Sequence, residues 1–213
     1  MKKIGLLIPK TNLTVEYELQ MFFSKGYFKI EKSVFYISKL DYKANYKEDK
    51  SKFLEELAID INNKKKDLEY LNVDYNAFFC TTSALENEVG EVNPIISLIE
   101  ESKIRNVKKC LLITPYNNKL GKEISKMLEE NGIKVIKNIN LDLLHTADYF
   151  NYGVNKLEKL IEENYLNEYE NIIMSCTNLP TIGIIEELEY KLNTQIISSN
   201  SSLFAKIKRD NNI

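Results

Sequence analysis

Two cysteines stand in matching surroundings in this chain. In "FFCTT" (78–82) and "MSCTN" (174–178) an apolar run ends in a cysteine that is followed at once by threonine. A thiol placed where a strand gives way to a helix would face N–H groups left unpaired by the first helical turn. Those are the N–H groups of Thr81, Thr82 and Ser83 after Cys80, and of Thr177, Asn178 and Leu179 after Cys176. They can bind an anion such as a carboxylate, and they favour thiolate over thiol. The side chains of Asn12, Thr81, Thr82, Thr177 and Asn178 would add donors without adding charge. With a thiol on each face of a bound carbon, one can take a proton or form a bond while the other returns a proton. The expected partner is therefore a small carboxylate substrate. Cys110 begins a strand, at the end away from such a site, and is read as core; His145 lies in a polar loop and is read as a surface residue.

Composition excludes several other classes. The chain has 213 residues, 44% of them hydrophobic, enough for one substantial core or two small ones sharing an interface. Its 29 basic and 31 acidic residues are scattered and give a net charge of -2, so no footprint for nucleic acid appears. The run Lys64, Lys65, Lys66 reads as a solvated helix face. No apolar stretch approaches the roughly 20 residues that cross a bilayer, and the run after Lys2 and Lys3 is too short for a signal peptide. A cytoplasmic protein without membrane contact is expected. Three cysteines and a single histidine argue against a disulfide framework and a zinc site. With no G-x-G-x-x-G, Walker loop, C-x-x-C or H-E-x-x-H, no cofactor and no metal are expected.

The elements that must hold these residues alternate. Continuous apolar runs predict buried strands at 3–8, 33–37, 76–79, 109–114, 133–139, 171–175 and 195–198. Helical spacing groups Val15, Leu19 and Phe22; Leu54, Leu57, Ala58 and Ile61; Leu120, Ile124, Met127 and Leu128; and Ile184, Ile185, Leu188 and Leu192. Strands separated by helices predict an α/β fold with parallel sheets, because a parallel crossover is long enough to hold a helix. The chain also resembles itself. With Pro9 on Pro115, "IGLLIPKTN" (4–12) falls on "CLLITPYNN" (110–118), and with Cys80 on Cys176 the two cysteine segments coincide. This predicts two pseudosymmetric Rossmann-like halves with the site in the cleft between them. The first half is taken as 1–106, completed by 195–213, and the second as 107–194. Asn12 and Asn118 also suit helix capping, and Tyr116 could equally be a half-buried aromatic.

Several segments together carry a family resemblance. "IGLLIPKTNLTVEYE" (4–18), "FFCTTSA" (78–84), "LLITPYNNKLGKEI" (111–124), "SCTNLPT" (175–181) and "IISSNSSLFAKIKR" (196–209) are similar, in this order, to maleate cis-trans isomerase. That family groups with arylmalonate decarboxylase in the aspartate/glutamate racemase superfamily. The resemblance implies that Cys80 is a nucleophile adding to the substrate double bond and Cys176 its acid/base partner. It implies carboxylate binding by Asn12, a site tyrosine at Tyr116, a Ser-Asn pair at Ser199 and Asn200, and a homodimer. The decarboxylases keep one of the two cysteines, so the pair here disfavours decarboxylation. The isomerase pattern has a further substrate-binding asparagine where this chain has Asp148 and Tyr149, with Asn151 out of register. An aspartate there would repel a second carboxylate and could hold an ammonium group.

The expected activity is cis-trans isomerisation of maleate or a related small dicarboxylate. The alternative is racemisation of a small acidic amino acid such as aspartate or glutamate by the same two thiols. A third reading, from another class, is a cleft that binds a carboxylate without turning it over.

Overall fold

The structure is a computed structural model that describes residues 1–44, 49–85 and 92–213. Its first half holds β1 (Lys2–Pro9), α1 (Thr14–Ser24), β2 (Ser33–Leu40), α2 (Lys50–Tyr70), β3 (Tyr75–Phe78), α3 (Thr81–Ala84) and α4 (Pro94–Ile104). The second holds β4 (Lys109–Thr114), α5 (Asn118–Glu130), β5 (Lys134–Asn140), α6 (Thr146–Asn151), α7 (Val154–Asn164), β6 (Asn171–Met174) and α8 (Ile182–Leu192). The chain continues through β7 (Gln195–Ser198) into α9 (Ser199–Asn211). All seven expected strands form. They make two parallel sheets, ordered β2-β1-β3 and β5-β4-β6-β7. In both sheets the strand ending in the aligned proline segment is flanked by the strand that leads into the aligned cysteine, so the internal likeness is one of topology.

Side-chain alternation along β1 explains the layering. Ile4, Leu6 and Ile8 point into a core that runs through both halves, while Leu7 joins Phe53, Leu57, Ile61 and Leu68 of α2 in a separate cluster on the other face. Gly5 shares the α2 face because a Cβ there would lie 2.7 Å from the Leu68 side chain and 2.3 Å from that of Asn76. Helix α2 can thus settle on the sheet. Helix α4 starts at Pro94 behind Asn93, whose Oδ1 accepts from the N–H groups of Ile95 and Ile96 at 3.0 Å.

Segment 195–213 divides in a way that differs from the expectation that it completes the first half. Strand β7 pairs with β6 in the second sheet. Helix α9 then crosses back onto α4, and its Phe204 packs against Phe22, Phe28 and Phe79 at ring-centroid distances of 4.9, 5.8 and 5.3 Å. Aromatic rings at such spacing contribute beyond the area they bury. No helix among the described residues is long and apolar enough to cross a membrane.

Candidate active site

The carboxyl ends of β1, β3, β4 and β6 open on one cleft of about 310 Å³, bordered by Asn12, Cys80, Thr81, Thr82, Tyr116, Cys176, Thr177 and Asn178. These eight expected residues are brought together. Both thiols are free and nearly sealed from bulk solvent, with Cys80 8% and Cys176 4% exposed.

The two sulfurs have different surroundings. Cys80 is the N-cap of the one-turn helix α3, and its Sγ lies 3.2 Å from Ser83 Oγ and 3.4 Å from Thr82 Oγ1. Cys176 accepts from the Asn178 N–H at 3.3 Å and is hydrogen-bonded to the Tyr116 hydroxyl. Burial nevertheless pushes the Cys176 thiol up to about 12, against the pull of those hydrogen bonds. It holds its proton at neutral pH. Burial, followed by the neighbouring sulfur, likewise holds the Tyr116 phenol well above its ordinary range. The expected helix at Thr177 does not begin there: residues 177–179 form a turn, and α8 starts at Ile182. Pro180 explains the delay, because the residue before a proline is pushed out of the helical region.

Asn12 meets its capping reading and also borders the cleft. Its Oδ1 accepts from the N–H groups of Thr14 and Val15 at the start of α1, while its Nδ2 donates to Thr177 Oγ1 at 3.1 Å. The second Nδ2 proton is left for a ligand. Thr177 donates in turn to the Phe79 carbonyl at 3.1 Å. Asn178 clamps the halves: its Oδ1 accepts from the Leu13 N–H at 2.9 Å and its Nδ2 donates to the Thr146 carbonyl at 2.8 Å. Thr81 Oγ1 is buried without a hydrogen-bond partner among the described residues and borders the cleft, so a bound oxygen atom would complete it.

Three expected residues stand outside the cleft wall. Asp148 faces its own helix, accepting from the His145 N–H at 3.1 Å. Ser199 and Asn200 are fully buried at the start of α9, where Asn200 Nδ2 donates to the Thr177 carbonyl at 3.0 Å. Asn200 thereby supports the turn behind Cys176 from the rear. Its second acceptor is Glu18, a fully buried carboxylate that also receives the N–H groups of Thr181 and Ile182 at the start of α8.

Sequence reasoning passed over another wall. Tyr42, Lys43 and Ala44 border the cleft, held to α2 by Glu56, which accepts from the N–H groups of Lys43 and Ala44 at 2.8 and 2.9 Å. Tyr42 stacks edge-on against Phe53 at 4.8 Å. Tyr149 also borders the cleft, its ring edge-on to Tyr116 at 5.8 Å, and His145, a surface residue as expected, sits at the rim. Among the described lining residues, Lys43 and His145 are the ionisable nitrogen side chains, and none is Asp or Glu. Among the described residues no three His, Cys, Asp or Glu side chains converge as metal ligands would.

No protein-family model matches the chain. It is 23% identical over 233 residues to a maleate isomerase of Geobacillus stearothermophilus, an alignment covering 99% of this chain and 92% of that protein. Its fold matches a cysteine-to-serine variant of the Nocardia farcinica maleate cis-trans isomerase that carries a covalently bound succinylcysteine intermediate. There the TM-score is 0.85 at 15% identity, over 100% of this chain and 93% of that one. A doubly substituted arylmalonate decarboxylase in a liganded form matches with a TM-score of 0.78 at 15% identity, over 98% and 92% of the two chains. In sequence the chain is similar to maleate isomerases along nearly its whole length, and it has the fold shared by maleate isomerases and arylmalonate decarboxylase.

Proposed function

We propose that this chain is a cis-trans isomerase of maleate or a closely related small dicarboxylate, working through its own side chains without a cofactor. The observation that carries this reading is a single cleft with two unlike thiols and no carboxylate among its described lining residues. Cys80, with two hydroxyls on its sulfur, is the nucleophile. Cys176, kept protonated by burial, is the proton donor.

The thiolate of Cys80 adds to one alkene carbon while the Cys176 thiol protonates the other, leaving a succinyl thioether and a Cys176 thiolate. The carbon–carbon bond is now single and turns. Cys176 then takes a proton back, the carbon–sulfur bond returns its electron pair to Cys80, and fumarate departs with both sulfurs restored. Tyr116 and the Asn178 N–H are placed to hold the Cys176 thiolate between these two steps. Asn12 Nδ2 and Thr81 Oγ1 are placed to receive carboxylate oxygens.

The orientation of Asp148 toward its own helix favours this reading over the racemase. An amino acid substrate brings an ammonium group, and Asp148, the residue expected to hold it, is turned to the start of α6. Lys43 supplies the opposite charge and suits the distal carboxylate of a dicarboxylate. Lys43→Gln is expected to raise KM for maleate about tenfold, the value of one charge-assisted hydrogen bond, with steady-state kinetics as the check. Proton NMR in deuterated buffer tests the whole proposal. Fumarate forming from maleate supports it, whereas exchange of the α-proton of aspartate or glutamate with maleate untouched would replace it by the racemase.

A further inference from the structure

We propose that Ser83 is a positioning residue for the nucleophile, holding and tuning the Cys80 sulfur through a hydrogen bond from its hydroxyl. The proposal deepens the reading of Cys80 as nucleophile and rests on it.

Ser83 is fully buried, and its Oγ lies 3.2 Å from Cys80 Sγ. Among the described residues the hydroxyl has no other hydrogen-bond partner. The geometry follows from sequence spacing. Cys80 caps α3 and Ser83 is the third residue after it, the offset at which a side chain in the first turn folds back on its cap. Thr82 Oγ1 also reaches the sulfur, at 3.4 Å, but Thr82 is half-buried and borders the cleft, where a substrate carboxylate competes for its proton. Ser83 does not border the cleft, so it serves the sulfur throughout the reaction.

A thiolate can only accept, so the ionised sulfur requires Ser83 to donate. That bond is charge-assisted and stronger than any made by the neutral thiol, and it therefore favours the ionised form. In the thioether the sulfur is neutral and a poor acceptor. The bond is weakened when Cys80 adds and regained when the carbon–sulfur bond breaks and the electron pair returns to sulfur. Ser83 thus makes Cys80 a better leaving group in the second step. The same stabilisation reduces intrinsic nucleophilicity, though by less than it raises the thiolate population, since nucleophilicity follows basicity with a slope of about 0.4–0.5.

This opposition gives a signature that loss of packing would not produce. In Ser83→Ala, alkylation of Cys80 by iodoacetamide, read by peptide mass spectrometry, is expected to be about threefold slower at neutral pH and about threefold faster in strong alkali, so the two pH–rate profiles cross. Ser83→Thr, which keeps the hydroxyl, is expected to restore the original profile. Cys110 in the same samples reports on general loosening. Profiles that coincide, or a Ser83→Ala profile displaced in one direction at every pH, would overturn the proposal. Alkylation needs no substrate, so the result stands apart from the isomerase reading: failure of maleate to react would sink that reading and leave this one to be judged by its own profiles.

Discussion

Cys176→Ser, mixed with maleate, is expected to accumulate the mass of one substrate on Cys80 while turnover falls by about 10²- to 10⁴-fold, the usual contribution of a positioned acid/base. Water in the cleft can protonate the adduct slowly, but a serine hydroxyl is too weak an acid/base to return the proton on schedule. Cys80→Ser is expected to lose turnover and adduct together, because its hydroxyl has no base beside it to make an alkoxide. Intact-mass spectrometry and fumarate formation by NMR separate the two variants. Adduct on Cys176, or turnover close to that of the parent protein in either variant, would remove that residue from the scheme. Cys110→Ala is the control. Cys110 is fully buried at the start of β4, its thiol pushed up to about 12 by burial, and its loss should leave turnover in place.

Stability is expected to fall as pH rises from about 4.5 to about 7, and Glu18 to be responsible. Burial raises its carboxyl to about 7 in spite of hydrogen bonds from Thr181, Ile182 and Asn200, whereas the same group in an unfolded chain ionises near 4.5. Between those values the folded protein holds a proton that the unfolded chain releases. The stabilising contribution is fully present below the unfolded value and is lost by the time pH passes the folded one, a difference of about 3 kcal/mol. Glu18→Gln removes the titration. Urea unfolding at pH 5 and pH 8 should show a drop of that order in the parent protein and little in the variant. The variant should be the weaker of the two at pH 5, because its amide N–H group confronts the Asn200 amide. A parent protein of equal stability at both pH values, or a variant that keeps the drop, would refute the assignment.

The legible and illegible parts of this molecule divide on physical lines. Strands of parallel sheets are buried on both faces, so β1, β4 and β6 read as unbroken apolar runs and their ends could be placed closely. The two cysteines were legible because topology repeats: the same sheet built twice puts the same kind of residue at the same strand end. Glu18 was also within reach, since it lies on the buried stripe of α1 with Val15, Leu19 and Phe22, where a charge is out of place. Ser83 carried the spacing of a helix-start contact. Asn93 followed by Pro94 marked the start of α4 in the same way. The wall of Tyr42, Lys43 and Ala44 carried no such sign. It reaches the cleft only because β2 runs beside β1 and because Glu56, a helix turn inside α2, fastens the backbone that follows the strand. Ser199 and Asn200 were readable as a motif but not as a position. Their burial behind Thr177 follows from α9 crossing back onto α4, a long-range packing choice.

That crossing also governs how the chain can come into being on the ribosome. Phe22 and Phe28 are synthesised well before the ring that covers them, Phe204 of α9. A nascent first half therefore carries an uncapped aromatic surface throughout translation of the second. The packing around these rings is complete only once α9 is in place.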